Sequence, residues 1–275
     1  MKKDINYKLK MNNSVEVPQL GLGVYLTKSG SECINAVTWA FEAGYRHIDT
    51  AKFYKNEKDV GEAVRNSGIK REEVFVTTKL WNEDQGYESA LKAFDKSLKD
   101  LNINYIDCYL IHWPVKDKRK DSWKALEKIY ESGYCKSIGV SNYMIPHLDE
   151  LFTYANVIPV MNQVEFNPYN YQKDLLEFCN KNKIILEAYA PLTRSKRLND
   201  NKVLSIAEKH KKTNAQVLIR WAIQHELVVI PKSVHKERII ENADLFDFSL
   251  DESDMDILNN MNEDFRVSWN PASID

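Results

Sequence analysis

Short apolar runs alternate with longer amphipathic stretches along most of the chain. The apolar runs, which predict β-strands, cover residues 19–25, 47–49, 74–79, 106–112, 137–141, 161–166, 185–190 and 228–233. Between them, apolar residues recur at helical spacing over 31–43, 87–101, 122–132, 146–154, 172–182, 201–210 and 214–225. Several strands are apolar at nearly every position, which predicts that both faces of the sheet are covered.

This alternation predicts an α/β protein with the (β/α)8 TIM-barrel fold, since eight strands and their helices fill about 250 residues. A doubly wound Rossmann sheet is the competing topology. Its fingerprint is G-x-G-x-x-G directly after a strand, and the sequence GLG at 21–23 lacks the third glycine. The barrel is therefore the expected fold.

Segments at both ends lie outside the repeat. Two short strands joined at Asn12 and Asn13 predict an N-terminal β-hairpin before the barrel. A helix over 251–261 and a tail with Trp269 predict a short C-terminal extension. No low-complexity segment or proline-rich linker divides the sequence, so residues 1–275 are expected to form a single domain.

Composition and charge narrow the possible partners. The formal net charge is −2 and the charged residues are dispersed, so neither nucleic acid nor a membrane is expected to bind. The four cysteines form no CxxC motif, which argues against a disulfide framework or a zinc site and favours a reducing compartment. No apolar run approaches the ~18 residues that span a bilayer, and the amino terminus has no apolar signal core. With no long apolar surface stripe either, we expect a cytoplasmic monomer.

Polar residues collect where the predicted strands end, and in a barrel these ends form the rim that carries functional groups. They are Asp49, Lys79, His112, Ser141, Asn142, Gln163, Tyr189, Lys232 and Ser233. Strand alternation places His112 on the same face as three apolar residues, Ile106, Cys108 and Leu110. Lys79 also points inward by this alternation, so it needs a counter-charge, and Asp49 is available.

Each of these residues, taken alone, has a purely structural interpretation. Asp49 would cap a helix, Lys79 would extend to solvent, and His112 would be a hydrogen-bonded core histidine. Tyr54 would be an ordinary half-buried tyrosine. Together they predict an acid–base group in which the charge of Lys79 lowers the pKa of Tyr54. Such a group can protonate a carbonyl oxygen while a cofactor supplies a hydride.

Six sequence motifs resemble those of the aldo-keto reductases, in the order of that family: GYRHIDTAKFYKNE, VFVTTKLWN, YLIHWP, IGVSN, NQVEFNP and IPKSVHKERIIEN. They extend over nearly the whole chain and are most similar to short microbial and protozoan members, including prostaglandin F synthase-like and 2,5-diketo-gluconate reductase-like enzymes. The resemblance implies a barrel that uses NAD(P)H without a Rossmann fold. It places the catalytic tetrad on Asp49, Tyr54, Lys79 and His112, with Tyr54 as the general acid.

The resemblance also implies the cofactor contacts. Ser141, Asn142 and Gln163 would hold the nicotinamide carboxamide, Tyr189 would stack on the ring, and Leu192 would contact the pyrophosphate. The family usually has a small residue after Leu192, whereas this chain continues with Thr-Arg-Ser-Lys at 193–196.

The last of the six motifs implies the choice of cofactor. By resemblance, Lys232, Ser233, Val234 and Arg238 surround the adenosine 2′-phosphate, and Glu241 and Asn242 reach the adenine. A lysine and an arginine at a helix start form an anion site, although a solvated basic helix start would have the same composition. NADPH is therefore favoured over NADH.

Aromatic residues just beyond the strand ends, where the family lines an apolar substrate pocket, are Tyr25, Phe53, Trp81 and Trp113. Each of them alone would equally fit core packing. The carboxyl-terminal loop of longer family members is shortened here, and Trp269 is a candidate for closing part of the pocket. Lys52, where the family commonly has a small residue, is expected to lie at the rim.

The leading hypothesis is an NADPH-dependent reductase of small carbonyl compounds. The alternative is a cofactor-binding regulatory or partner-binding subunit with little turnover, which loss of the tetrad or an added extension would favour. A metal-dependent barrel hydrolase would need clustered ligands, and the histidines at 47, 112, 147 and 235 do not form such a set. No metal is expected.

Overall fold

The computed structural model of the protein describes residues 4–274, apart from the side chain of Ser273. An antiparallel hairpin of β1 (Lys8–Lys10) and β2 (Glu16–Pro18) comes first. It is followed by a parallel sheet whose strands are adjacent in chain order. These strands are β3 (Leu22–Gly23), β4 (His47–Asp49), β5 (Phe75–Leu80), β6 (Cys108–Ile111), β7 (Ile138–Ser141), β8 (Met161–Glu165), β9 (Ile185–Tyr189) and β10 (Val228–Val229).

The sheet closes on itself between its first and last strands. The amide of Gly21 donates to the carbonyl of Val229 at 2.9 Å, and the amide of Val229 donates to the carbonyl of Gln19 at 2.9 Å. Leu20 and Val229 form the corresponding parallel bridge. Closure leaves no unpaired sheet edge, so the predicted (β/α)8 barrel and its hairpin are confirmed.

Helices follow the strands and cover the outside of the barrel. They are α1 (Ser31–Glu42), α2 (Glu57–Asn66), α3 (Tyr87–Leu101), α4 (Arg119–Glu131), α5 (Ile145–Phe152), α6 (Lys173–Lys181), α7 (Asn201–His210), α8 (Asn214–Gln224), α9 (Lys236–Ala243) and α10 (Glu252–Asn259). Helix α3 and helix α7 have the predicted bounds, and the C-terminal helix α10 lies within its predicted range.

Helices α2 and α9 are the two whose bounds the apolar pattern did not supply, and α2 contains a glycine and several charged residues. Gly61 is a poor helix former in the middle of α2, and its packing explains why it is there. A Cβ atom at Gly61 would lie 1.8 Å from the carbonyl oxygen of Leu101, at the end of α3. The glycine therefore permits the close approach of α2 to α3.

Two separate apolar clusters fill the molecule. The larger lies between strands and helices, and the smaller includes Phe75, Cys108, Leu110 and Met161 inside the barrel. The expectation that Ile106 shares the inward face of Cys108 and Leu110 is wrong. Ile106 belongs to the larger cluster, because the regular alternation of β6 begins only at Cys108.

The hairpin covers the amino-terminal end of the barrel. Met11 and Val17 join the interior cluster beside residues at the beginnings of the strands, such as Phe75 and Val228. The Asn12 side chain donates to the carbonyl of Pro159 at 3.0 Å, which fixes the hairpin to the start of β8. The apolar floor leaves the polar residues of the barrel near its carboxyl-terminal rim.

Candidate active site

A buried ion pair forms the centre of the rim. The Nζ atom of Lys79 lies 2.7 Å from each carboxylate oxygen of Asp49 and also donates to the carbonyl of Thr50 at 2.9 Å. Its remaining contact is the hydroxyl oxygen of Tyr54 at 3.3 Å. Parallel pairing of β4 and β5 brings the acid and the lysine together, and the short turn Lys52–Tyr54 places the phenol above them.

The expectation that Lys79 lowers the pKa of Tyr54 is wrong for the protein in this structure. Burial and the negative charge of Asp49 raise the pKa of Tyr54 well above its usual value. Lys79 does not act on the phenol as an isolated positive charge, because the Asp49 carboxylate contacts the same Nζ atom. Tyr54 therefore carries its proton at neutral pH, which is the form that a proton donor requires.

His112 lies beside this group as an uncharged imidazole. Burial, and then the positive charge of Lys79, lower the pKa of His112 well below its usual value. Its ring meets the ring of Tyr54 edge to face, with 5.7 Å between centroids. A neutral imidazole has one N–H to donate, so it can hold a substrate oxygen close to the Tyr54 hydroxyl.

The residues expected to hold the nicotinamide form a continuous hydrogen-bonded set. The Ser141 hydroxyl donates to the carbonyl of Gln163 at 2.9 Å, and the Asn142 amide donates to Ser141 at 3.1 Å and to the carbonyl of His112 at 3.0 Å. The Tyr189 hydroxyl donates to the Asn142 side chain at 2.9 Å. These hydrogen bonds connect the ends of β7, β8 and β9 to His112, the residue directly after β6.

An acidic residue that the sequence analysis missed lies directly below this set. Glu187, in β9, is fully buried and accepts a hydrogen bond from the Gln163 amide at 2.6 Å. The same nitrogen donates to Asp49 at 2.7 Å. The imidazole of His47 lies 3.6 Å from the other oxygen of Glu187. The sequence did indicate this position, because strand alternation points the Glu187 side chain inward like that of Tyr189.

Three of the four predicted pocket aromatics surround Tyr54 and His112. Phe53 and Trp81 are stacked with their centroids 3.9 Å apart, and Trp81 meets His112 at 5.2 Å. Tyr25 lies 4.9 Å from the ring of Tyr54. Phe53 remains 40% exposed, so this wall is open to ligands and is not core packing.

The fourth aromatic, Trp113, is buried and packs against the carboxyl-terminal tail. Its ring centroid lies 5.5 Å from that of Trp269, which is 62% exposed. The tail is held by Glu165, a second acid that the sequence analysis missed. Its carboxylate accepts hydrogen bonds from the amides of Val267 and Ser268 at 2.7 and 2.9 Å. The tail therefore brings Trp269 against Trp113, which follows His112 directly in the chain.

Charged side chains complete the rim. Lys52 begins the turn that carries Phe53 and Tyr54, and its ammonium group forms an ion pair with Asp84. Arg194 extends over the ring of Tyr25 at 5.4 Å. Its turn follows the half-buried Leu192, and residues 193–195 all have positive φ, at 50°, 49° and 65°. This left-handed backbone is the one glycine adopts most easily, so the turn departs from the family in sequence while keeping a glycine-like conformation.

The residues expected to bind the adenosine end lie between β10 and α9 and in the first turn of α9. Lys232 and Arg238 are exposed, and neither forms an ion pair within the described part of the chain. Ser233 is buried and accepts the amide of His235, at the start of the helix, at 3.1 Å. Val234 is half-buried.

The two residues assigned to the adenine lie further along α9. Glu241 accepts a hydrogen bond from the Thr213 hydroxyl at 2.8 Å, and Asn242 is buried. The exposed cations Lys232 and Arg238 thus come before the less exposed polar side chains of Glu241 and Asn242. This arrangement suits a phosphate at the cations and its attached heterocycle at the polar side chains.

Residues 4–274 contain neither a cluster of metal ligands nor a helix that could cross a bilayer. No group of three or more His, Cys, Asp or Glu side chains is placed to hold a metal ion. Among the helices described there, none is both long and apolar enough to cross a bilayer.

Comparison with known proteins places this site in a family. Residues 19–263 match the model of the Aldo/keto reductase family. Glyoxal reductase from Bacillus subtilis (strain 168) is 51% identical over 266 residues, covering 97% of this chain and 96% of that protein. The 9,11-endoperoxide prostaglandin H2 reductase of Trypanosoma cruzi (strain CL Brener) is 51% identical over 264 residues, covering 95% of this chain and 93% of that protein.

A solved structure agrees with these relatives. The crystal structure of a Gox0644 mutant in complex with NADPH superimposes with a TM-score of 0.92 at 41% identity, covering 97% of this chain and 98% of that one. The chain therefore belongs to the Aldo/keto reductase family.

Proposed function

We propose that this protein reduces aldehydes and ketones to alcohols with NADPH, and that Tyr54 donates the proton. Membership of the Aldo/keto reductase family makes the chain an oxidoreductase. The observation that carries the proposal is the contact between the Tyr54 hydroxyl and the buried Lys79, at 3.3 Å, beside an uncharged His112.

The residues of this chain account for the proton transfer. When bound, NADPH supplies the hydride to the carbonyl carbon. His112 orients the carbonyl oxygen, and Tyr54 gives that oxygen its proton. The phenolate that remains lies next to the Lys79 ammonium, which stabilises the charge as it develops. Phe53 and Trp81 cover one side of the site with apolar surface and reduce access of water.

The choice of NADPH rests on the adenosine end. Lys232 and Arg238 are exposed cations outside the ion pairs of the described residues, so both are available to a 2′-phosphate. The NADPH bound in the Gox0644 structure supports the same cofactor. The substrates are small carbonyl compounds, which the name of the glyoxal reductase supports. The other relative is named for reduction of a 9,11-endoperoxide, so its name does not bear on carbonyl substrates.

The test is oxidation of NADPH, followed by its absorbance, with glyoxal, aromatic aldehydes, ketones and quinones. Tyr54→Phe removes only the hydroxyl, so kcat is expected to fall by about 10²–10⁴-fold while the Kd for NADPH changes little. Tyr134→Phe is the matched control, because Tyr134 is 57% exposed and outside the site. Unchanged turnover in Tyr54→Phe contradicts the assigned proton donor. NADPH binding without turnover of any carbonyl would favour a regulatory subunit.

We also infer that residues 1–275 act as one domain and that the protein works as a monomer in the cytoplasm. Dispersed charge and the lack of an apolar surface stripe in the sequence support this. Light scattering after size-exclusion chromatography tests the monomer directly.

A further inference from the structure

Glu187 is a buried acid with no part in the proton transfer described above. It lies in the middle of β9, on the inward face, below the rim and opposite Val228 of β10. Only one of its carboxyl oxygens is hydrogen bonded, to the Gln163 amide at 2.6 Å. The other has no hydrogen-bond partner among the described residues. An acid so placed is stable only if it is neutral or paired.

Glu187 shares one nitrogen atom with the tetrad. The Gln163 Nε2 atom donates one hydrogen to Glu187 at 2.6 Å and the other to Asp49 at 2.7 Å. Both of its hydrogens are therefore used, and the amide is fixed with its nitrogen toward the two acids. The side-chain oxygen of Gln163 therefore faces away from Glu187 and Asp49.

The groups that face Glu187 supply one positive charge, on Lys79, and Asp49 already neutralises it. A negative charge on Glu187 would have no counter-charge among them. The titratable groups that face it are His47 and Asp49 from β4, Lys79 from β5, Cys108 from β6, and Tyr54 from the turn after β4. Lys79 contacts Asp49, and burial keeps His47 uncharged by lowering its pKa to about 3. Burial, and then the charge of Asp49, raise the pKa of Glu187 to about 8. Burial raises the pKa of Asp49 as well, but its contact with Lys79 at 2.7 Å opposes that rise, so Asp49 keeps the charge and Glu187 is the neutral acid at neutral pH.

We propose that Glu187 is a positioning residue of the reductase site: its uncharged carboxyl group holds the Gln163 amide beside Asp49, and loss of its proton slows carbonyl reduction. The inference rests on the proposed function. It adds a residue that holds Gln163 by a hydrogen bond and acts on Tyr54 by its charge, and that touches neither substrate nor cofactor.

The effect of ionisation follows from charge. A negative Glu187 would further raise the pKa of Tyr54, since the two groups repel each other as anions. A weaker acid transfers its proton more slowly to the developing alkoxide. Tyr54 itself titrates at much higher pH, so it does not account for a decline near pH 8.

The test compares pH profiles of kcat across neutral and alkaline pH in the wild type and in Glu187→Gln. The variant keeps the size of the side chain and an oxygen that can accept from Gln163, but it cannot ionise. The wild-type kcat is expected to fall above pH 8 by up to about tenfold per pH unit, and this decline should be absent from Glu187→Gln. The shape of the profile is compared, not its height. The same decline in both proteins overturns the proposal.

Two further variants separate positioning from general stability. Glu187→Leu also removes the acceptor for Gln163, so we expect the KM for NADPH to rise by roughly 3–15-fold as well as loss of the alkaline decline. Glu177→Gln, an exposed acid on α6, should retain the wild-type profile. An unchanged KM in a folded Glu187→Leu protein contradicts the positioning role.

A second measurement does not depend on turnover. In protein labelled with ¹³C at glutamate carboxyl groups, one resonance should titrate near pH 8 and should be missing from Glu187→Gln. Absence of that resonance from the wild type overturns the proposal. Its presence in a protein that reduces no carbonyl would contradict the proposed function and leave the proton on Glu187 established.

Discussion

Lys79 and Asp49 form a bidentate ion pair inside the barrel, with 2.7 Å between Nζ and each carboxylate oxygen. Both side chains are almost completely removed from water. A charge this deeply buried is costly without its partner, so each residue holds the other in its ionised form. Tyr54 lies against the lysine, and the pair therefore determines where the phenol sits.

Asp49→Asn should lower the free energy of unfolding by about 3–5 kcal/mol, because it leaves the Lys79 charge buried and uncompensated. Urea denaturation followed by tryptophan fluorescence measures this. The double variant Asp49→Asn/Lys79→Met should recover part of the loss, since it removes both charges. A single variant as stable as the wild type would show that the pair is not desolvated in solution. Glu131→Gln, which breaks an exposed pair with Lys128, is the control and should have little effect.

Arg238→Ala should weaken NADPH binding by roughly 10–100-fold and leave NADH binding nearly unchanged, because only NADPH carries the 2′-phosphate. Fluorescence titration with each cofactor checks this. Lys236→Ala is a matched control on the same helix, since Lys236 is already paired with Glu42 at 2.7 Å. Equal losses for the two cofactors would exclude Arg238 as the phosphate ligand.

Trp269→Ala should raise the KM for aromatic aldehydes by roughly 3–10-fold and change the KM for glyoxal little, because a small substrate does not reach the tail. Glu165→Gln should have a similar, weaker effect, since it loosens the anchor of Val267 and Ser268. Steady-state kinetics with both substrates provide the comparison. If KM changes equally for both, Trp269 does not contact the substrate selectively.

His47 should make the fold sensitive to acid. Burial lowers its pKa from 6.5 to about 3, so between these values the unfolded chain binds a proton that the folded protein does not. The contribution of His47 is complete above pH 6.5 and is lost at about 1.4 kcal/mol per pH unit as pH falls. Thermal melts at several pH values should show a shallower acid decline for His47→Asn. The exposed His235→Asn should behave as the wild type, and parallel curves for all three proteins would argue against a buried neutral His47.

The strands and the rim could be predicted because each depends on local pattern. Apolar runs specify a strand, and a polar residue at its carboxyl end lies on the rim whatever its neighbours are. The pKa of Tyr54 and the positions of Glu165 and Glu187 depend instead on contacts between distant segments. Alternation shows that Glu187 points inward, but only register places it on the same amide nitrogen as Asp49.

The spacing of apolar residues also did not predict how the helices pack against each other. The close approach of α2 to α3 depends on Gly61, which meets the carbonyl of Leu101 in the other helix. The turn at 193–195 keeps the left-handed backbone that suits glycine although none of its residues is glycine. In both cases the surroundings override local propensity.

The hairpin at the amino-terminal end has a kinetic consequence. Met11 and Val17 close the floor of the barrel with apolar side chains, so a proton that enters from that end must cross apolar packing to reach His47 or Glu187, whereas the rim is polar. A cofactor seated on that rim would cover this route. Proton exchange between the interior acids and solvent should then be slow during a bound lifetime, and each catalytic cycle would proceed with the interior charge that was set before the cofactor bound.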